Sequence, residues 1–447
     1  MRPTPTVTDV ACNGHGADVA GHTRHALTAF PLRRRGCCSI DGVMAASFVI
    51  VAAGVWSVLA TLGWLALYRR GRRGASRVAA VEDVVVDVGG VNDDVRVWPR
   101  VSLIVPASNE GETLPSALSS LLALDYPNYE IVVVDDRSTD GTGAAIAAAA
   151  ARDPRVRPVR VDVLPDGWLG KVHAQTRGID AATGDWLLFT DADVVFGKDA
   201  LRRAVAHVQA KNLEHLVIVA RGRPPTFALD VVECALATML HGAAAVSRSK
   251  ERVVGSGQFS MVKRSALDKS DGLAWLKMEP ADDFGLSLLM KRSGAAQEFF
   301  ISRGDVSWVW YPSFMAMVRG FEKNLFPVAT GYRAVPALVI AFGIFAFNVG
   351  PFVGTIAFGW PGLGLSALAL LALLSATIAR QRLSGRRFSV LVCGPLGQLV
   401  LAFVLVRSMV VVLGGGGIRW RGTFYPLAAL RAGQRVRTRS GSQARRA

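Results

Sequence analysis

A chain of 447 residues, 51% of them hydrophobic, is long enough for one large domain plus membrane segments. Its formal net charge of +16 is concentrated beside apolar runs and is not interleaved with aromatics, which argues against a nucleic-acid surface and for membrane flanks. The cysteines Cys12, Cys37, Cys38, Cys234 and Cys393 form no CxxC pair or metal spacing, which argues against a disulfide framework.

Residues 1–42 read as a disordered extension, in which His15, His22 and His25 are polar filler. The uncharged run "VMAASFVIVAAGVWSVLATLGWLAL" opens a predicted transmembrane helix over 43–68, since about 20 apolar residues cross a bilayer. It is longer than a signal-peptide core and reads as a retained anchor. Five arginines between Arg69 and Arg77 follow, within a linker over 69–99, and put the next segment in the cytoplasm.

A catalytic-sized domain over 100–312 then changes the rhythm. "VSLIVPA" (101–107) reads as a strand, "ETLPSALSSLLAL" (112–124) as a helix and "YEIVVVDD" (129–136) as a second strand. "STDGTGAAIAAAAARD" reads as a helix capped by Ser138 or Thr139, with Asp140 in its first turn. "RVRPVRV", "GDWLLFTDADVVF" and "DALRRAVAHVQA" give two further strands and a helix. Such alternation predicts an α/β fold with a parallel sheet covered on both faces, and a ligand site beyond the carboxyl ends of its strands.

Three of those ends are polar: "PASNE", "DDRSTD" and "DAD". On an extended strand Asp191 and Asp193 would point the same way, and two adjacent carboxylates suit a hard divalent cation that also takes diphosphate oxygens. The competing reading is a turn that caps the helix over 199–210.

Beyond the domain, an interfacial helix is predicted over 313–330, with Phe314, Met317, Val318, Phe321 and Leu325 on one face, although a packed core would use the same spacing. Apolar runs at 334–358, 361–379 and 388–413 suggest a membrane region over 334–413 of two to three spans. "CGPLG" and Arg407 interrupt the last run, which therefore reads as re-entrant or interfacial. That keeps the basic tail over 414–447, with eight arginines from Arg419 onward, on the cytoplasmic side.

The series "IVPASNE", "VVVDDRSTDGT", "GWLGKVHA", "LLFTDADV" and "DDFGLSLLMKRSG" resembles glycosyltransferase family 2, especially membrane-bound members similar to ceramide glucosyltransferases and hopanoid-associated glycosyltransferases. The likeness covers about 100–330 and extends to "GIRWRGTFYPL" near the C-terminus. It implies a GT-A fold, with a Rossmann-like mixed sheet and flanking membrane helices, using a nucleotide-diphosphate sugar and Mg²⁺ or Mn²⁺. It further implies that Pro106, Ala107, Asn109 and Glu110 line the nucleotide pocket and that Asp135 and Asp136 contact the base. Lys171 would lie near the diphosphate, Asp191 and Asp193 would hold the metal, and Asp283 would be the general base, with Asp282 beside it as the second catalytic carboxylate.

Ser108 stands where the family often has arginine, and Gly257 and Gln258 would approach the sugar or acceptor. The (Q/R)xxRW of processive synthases is missing from "FMAMVRGFEKNLF" (314–326), which implies transfer of one sugar. The expected partners are a nucleotide sugar, a lipid acceptor and the bilayer, with no nucleic acid. A polyprenyl-phosphate acceptor and a catalytically silent scaffold are the alternatives.

Overall fold

The computed structural model describes residues 97–246, 253–302, 304–358 and 387–436, with scattered positions between 360 and 374. The extension over 1–42, the anchor over 43–68, nearly all of the linker over 69–99 and much of the run over 361–379 lie outside the described residues.

The first half alternates strand and helix: β1 (Val101–Ala107), α1 (Leu114–Leu122), β2 (Tyr129–Asp136), α2 (Thr142–Arg152), β3 (Val156–Val161), α3 (Gly170–Ala181) and β4 (Trp186–Phe189). Every residue of β2 and nearly every residue of β1 is buried, as expected of strands covered on both faces. There follow β5 (Val194–Phe196), α4 (Ala200–Ala210), β6 (His215–Val219), β7 (Arg221–Gly222), α5 (Phe227–Val246), β8 (Ser260–Lys263), α6 (Arg264–Asp268), α7 (Asp282–Arg292), β9 (Gln297–Ile301) and β10 (Val306–Trp308).

Seven strands form one sheet in the order β3-β2-β1-β4-β8-β6-β9. β3, β2, β1 and β4 are mutually parallel, whereas β8 runs antiparallel to β4 and β6, so the sheet is mixed. Register sets Ala107 level with Asp135 and Ile104 level with Phe189, which brings the ends of three adjacent strands to one edge.

Two starts differ from expectation. α2 begins at Thr142 with Gly141 at its N-cap and no side-chain cap, so Ser138, Thr139 and Asp140 precede the helix. β4 ends at Phe189, so Asp191 and Asp193 occupy a turn before β5, where the Val194 amide donates to the Asp191 carbonyl at 3.4 Å. The alternation rule applies only within a ladder, so it does not set the directions of these two side chains.

One core packs β1, β2 and β4 side chains such as Leu103, Ile131 and Leu188 against α1 and α4. The other joins Ile104, Val132 and Val134 to α3, α7 and the C-terminal region, through Leu405, Met409, Tyr425 and Leu430. That region comprises α8 (Phe314–Thr330), α9 (Ala334–Phe358), α10 (Phe388–Val392), α11 (Gly394–Gly414), the hairpin β11 (Gly417–Trp420) and β12 (Thr423–Pro426), and α12 (Leu427–Gly433).

Met317, Val318 and Phe321 of α8 pack against Leu229, Val232, Leu401 and Val404, so most of its apolar face is packed core and not a surface lying on a bilayer. Arg407 of α11 pairs with Glu322 of α8 at 2.6 Å, which explains a charge within an apolar helix. Among the described residues α11 is long and apolar enough to cross a membrane. A second span exists only if α8 and the first part of α9, bent by 100° at their break, count as one. The tail expected over 414–447 is folded over 417–436, where Ile418, Tyr425 and Leu430 are buried.

Candidate active site

The loops after β1 and β2 are laced together by short polar side chains. Asn109, at φ +56°, donates its amide to Ser138 Oγ at 3.0 Å, and its Oδ1 accepts the Thr139 amide at 2.8 Å. The Asp140 carboxylate accepts the amides of Gly111 and Thr142, and Thr142 Oγ1 accepts the Glu110 amide at 2.8 Å. Residues read as helix caps thus hold the Pro106–Glu110 loop in place. Ser108 Oγ donates to the Asp136 carbonyl at 3.0 Å.

At the end of β2 the two carboxylates are buried and paired. Asp135 accepts Arg160 at 2.7 Å and the Ser138 amide at 3.1 Å, while Asp136 accepts Arg137 through both oxygens at 2.8 and 3.1 Å. Both strand-end acids therefore sit at the pocket edge with arginine partners that the sequence did not single out.

Lys171, in the first turn of α3, lies at the centre of the site. Its Nζ is 2.7 Å from Asp191 Oδ1 and 3.4 Å from Asp282 Oδ2. Burial alone would lower this ammonium, but Asp191 and Asp282 outweigh it and hold it above the usual lysine range. Gln175 also donates to Asp282 Oδ2, at 3.1 Å. Acids from two separate stretches of the chain, after β4 and at the start of α7, thus converge on one cation.

Asp191 is fixed from the far side by the run-in to β8. Its amide donates to the Gly257 carbonyl at 3.0 Å, and Thr190 Oγ1 donates to the Gln258 carbonyl at 2.8 Å. A β-carbon on Gly257 would stand 2.6 Å from Asp191 Oδ2, so glycine is needed there for close approach. At Gly255 a β-carbon would stand 2.2 Å from the Phe284 amide, so the same segment also packs against the start of α7.

Asp193 is pushed up to about 7 by burial, then by Asp191 and Glu110. A half-buried carboxylate surrounded by other carboxylates fits a bound cation. Among the described residues no three His, Cys, Asp or Glu side chains converge as a closed metal cage. Two carboxylates with the remaining positions left to water and phosphate suit Mg²⁺ or Mn²⁺, which are commonly held that way.

Asp282 and Asp283 open α7, where the helix dipole favours acids. Asp282 is buried and bonded to Lys171 and Gln175. Asp283 accepts the Phe284 amide at 2.9 Å, and burial followed by the Asp282 charge pushes it up to about 6. His173 stacks edge-on against Trp168 at 5.6 Å, with its Nδ1 buried and unbonded, apart from the carboxylate cluster.

Residues 102–270 match the family profile described as Glycosyl transferase family 2. The chain carries a glycosyltransferase family 2 domain. It is 38% identical over 116 residues to the succinoglycan biosynthesis protein ExoO of Rhizobium meliloti, covering 26% of this chain and 32% of that one. It is 29% identical over 204 residues to a beta-monoglucosyldiacylglycerol synthase of Synechocystis sp., covering 43% of this chain and 40% of that one. The aligned segments thus span about a third to two fifths of these relatives' length. Among solved structures, the mannosyltransferase PcManGT of Pyrobaculum calidifontis, in complex with GDP-Man and Mn²⁺, aligns at a TM-score of 0.48 and 21% identity. That alignment covers 81% of this chain and 99% of that one.

The site residues expected from sequence lie along the carboxyl edge of β1, β2 and β4 or on α3 and α7 beside it, with Gly257 and Gln258 on the run-in to β8. Sequence reading missed Arg137, Arg160, Gln175, Lys323, Trp420 and Arg421. Arg137 lies within "VVVDDRSTDGT", Arg160 within the strand "RVRPVRV" and Gln175 just after "GWLGKVHA", all as partners of the named acids. Arg421 and Trp420 lie in "GIRWRGTFYPL", a stretch with no local sign of where it docks.

Proposed function

We propose that the protein is an inverting, metal-assisted glycosyltransferase that moves one sugar from a nucleotide-diphosphate donor to a hydroxyl of a membrane lipid. The observation that carries this reading is the Lys171–Asp191–Asp282 ion-paired cluster, with Asp283 beside it, at the carboxyl edge of three adjacent strands. In α/β sheets that edge is where ligands sit.

The chain's own groups divide the work. Lys171 presents a held positive charge for the diphosphate, and the loop after β1 faces the nucleotide with Asn109 and Glu110. A bound Mg²⁺ or Mn²⁺ on Asp191 and Asp193 would offset the charge that develops on the departing diphosphate. Asp282 is neutralised by Lys171, so Asp283, with its raised carboxyl, is the better proton acceptor near neutral pH. It takes the acceptor hydroxyl proton as the new glycosidic C–O bond forms and the diphosphate oxygen–sugar bond breaks. Attack opposite the leaving group inverts the anomeric centre.

A lipid acceptor is supported by α11, whose membrane-length stretch packs into the same core as α3 and α7 through Leu405, Met409 and Val412. The glucosyldiacylglycerol synthase among the relatives agrees with it. We place the catalytic domain on the cytoplasmic side of the cell membrane, where nucleotide sugars are found.

The test is incubation of membranes holding the full chain with a panel of labelled nucleotide sugars, followed by lipid extraction. Label is expected in one lipid product, lost with EDTA, restored by Mg²⁺ or Mn²⁺, and absent in Asp191→Ala and Asp193→Ala. Undiminished labelling in EDTA, with no metal retained by the protein, would overturn the metal assignment. Labelling of no lipid by any donor would overturn the reading as a whole.

A further inference from the structure

The loop Pro106–Thr113, which faces the expected donor, contains no lysine or arginine. A cation reaches it from the other end of the chain. Arg421, at the tip of the β11–β12 hairpin, donates Nη2 to Glu110 Oε1 across 311 residues of sequence. Three further contacts seat the hairpin. Arg137 Nη1 donates to Thr423 Oγ1 at 3.3 Å, and the Gly170 amide donates to the Tyr425 hydroxyl at 3.2 Å. The Lys323 ammonium lies 3.8 Å from the centre of the Trp420 ring. The hairpin thus bridges the loop after β1, the end of β2 and the helix start that bears Lys171.

The turn itself is unusual. Trp420 pairs with Thr423, so Arg421 and Gly422 are its two central residues, at φ of +48° and +78°. Two positive φ values define a tight hairpin turn whose first central position favours Asn, Asp or Gly. A β-carbon is crowded there, and a long side chain held in that conformation points to a use for it. Of the five described non-glycine residues at positive φ, three (Asn109, Arg137 and Arg421) stand at this one edge.

The Arg421–Glu110 pair is partly exposed, with side-chain exposures of 43% and 22%, so it contributes little to stability and exchanges readily. A guanidinium fork matches two phosphate oxygens as well as it does a carboxylate, and a diphosphate brings more negative charge than the single Glu110 carboxylate. Building on the transferase reading, we infer that Arg421 is a donor-binding residue that passes from Glu110 to the diphosphate of the nucleotide sugar. The C-terminal hairpin then completes the donor site. Glu110, freed of its partner, is left to accept a hydroxyl of the donor. The domain over 100–312 therefore holds Lys171 but lacks this second phosphate ligand until the chain has passed through α8–α11 and returned.

The test compares nucleotide affinity and thermal stability in the full-length protein in detergent, using UDP, GDP, ADP and dTDP with Mg²⁺ as probes. Arg421→Gly removes the guanidinium while supplying the residue best suited to φ +48°, so the hairpin is expected to fold and Tm to hold. The affinity for whichever nucleotide binds is expected to fall about 10- to 100-fold, the size of one lost charge-assisted hydrogen bond. Arg421→Lys is expected to lose less. Arg419→Ala, whose guanidinium lies over Phe424 on the same hairpin, is expected to lose nothing. Unchanged affinity in Arg421→Gly, with tight binding by the unaltered chain, would overturn the assignment alone and leave the pair as a docking contact. Failure of the unaltered chain to bind any of the four would overturn the transferase reading together with it.

Discussion

Two neighbouring carboxylates, Asp282 and Asp283, are separated chemically by their partners. Asp282 shares Lys171 with Asp191 and stays tied to it, whereas Asp283 keeps only a local amide bond and a raised carboxyl. Asp283→Asn is expected to lower kcat by about 10²–10⁴ with Tm unchanged, the usual contribution of a general base. The base must be ionised to act, and burial sets its carboxyl at about 6. The kcat of the unaltered protein is therefore expected to be flat above about 6 and to fall about tenfold per pH unit below it. A pH–rate profile checks this, and a limb that persists in Asp283→Asn would assign the proton transfer elsewhere. The difference between the two adjacent acids was not readable from "ADDFG", because the partners of Asp282, Lys171 and Gln175, come from α3.

At the scale of elements, the mixed half of the sheet is joined by a histidine. His215 of β6 meets Gln297 of β9 through Nδ1 and Ser260 of β8 through Nε2, each at 3.0 Å. Burial lowers it from the ordinary 6.5 to about 4, and the Gln297 bond offsets only part of that. The sign follows from linkage: with the folded value depressed, stability is fully present above 6.5 and is lost as pH falls toward 4. The loss approaches about 3 kcal/mol at the acid end, from 1.4 kcal/mol per pH unit. Tm measured from pH 7 to 4 should decline over that window, and His215→Gln should flatten that part of the curve. The strands themselves were plain in the sequence, since β1 and β2 are each built around an apolar, largely β-branched run, "LIV" (103–105) and "IVVV" (131–134). The start of α2 was not, because Ser138 and Thr139 bond across to the loop after β1, and Asp140 is shared between that loop and the Thr142 amide.

For the whole molecule, the C-terminal segment ties the membrane-length helix to the chemistry. The Glu279 carboxylate, three residues before Asp282, accepts the amides of Arg435 and Val436 at 2.6 and 2.9 Å. Arg421, Thr423 and Tyr425 meanwhile contact the donor edge. Residues 417–436 must therefore lie on the same side of any bilayer as the catalytic domain. A cysteine placed at the exposed Ala432 is expected to react with a membrane-impermeant thiol reagent only after the cytoplasmic side is opened. Labelling of intact cells would contradict the cytoplasmic placement proposed above.

The sequence by itself determined the α/β alternation, the carboxyl-edge location of the acids, and the identities of Lys171, Asp191, Asp193 and Asp283 as the residues to examine. The alternation and the strand-end acids are local features of strand periodicity and turn chemistry, whereas Lys171 and Asp283 were singled out by the resemblance to glycosyltransferase family 2. Only the tertiary structure decided that α8 turns most of its apolar face inward, that Asp191 and Asp193 occupy a turn, and that the tail folds back onto the donor edge. An apolar helical face looks the same whether lipid or Leu401 covers it. A contact spanning 311 residues, such as Arg421 with Glu110, leaves no trace in any local pattern.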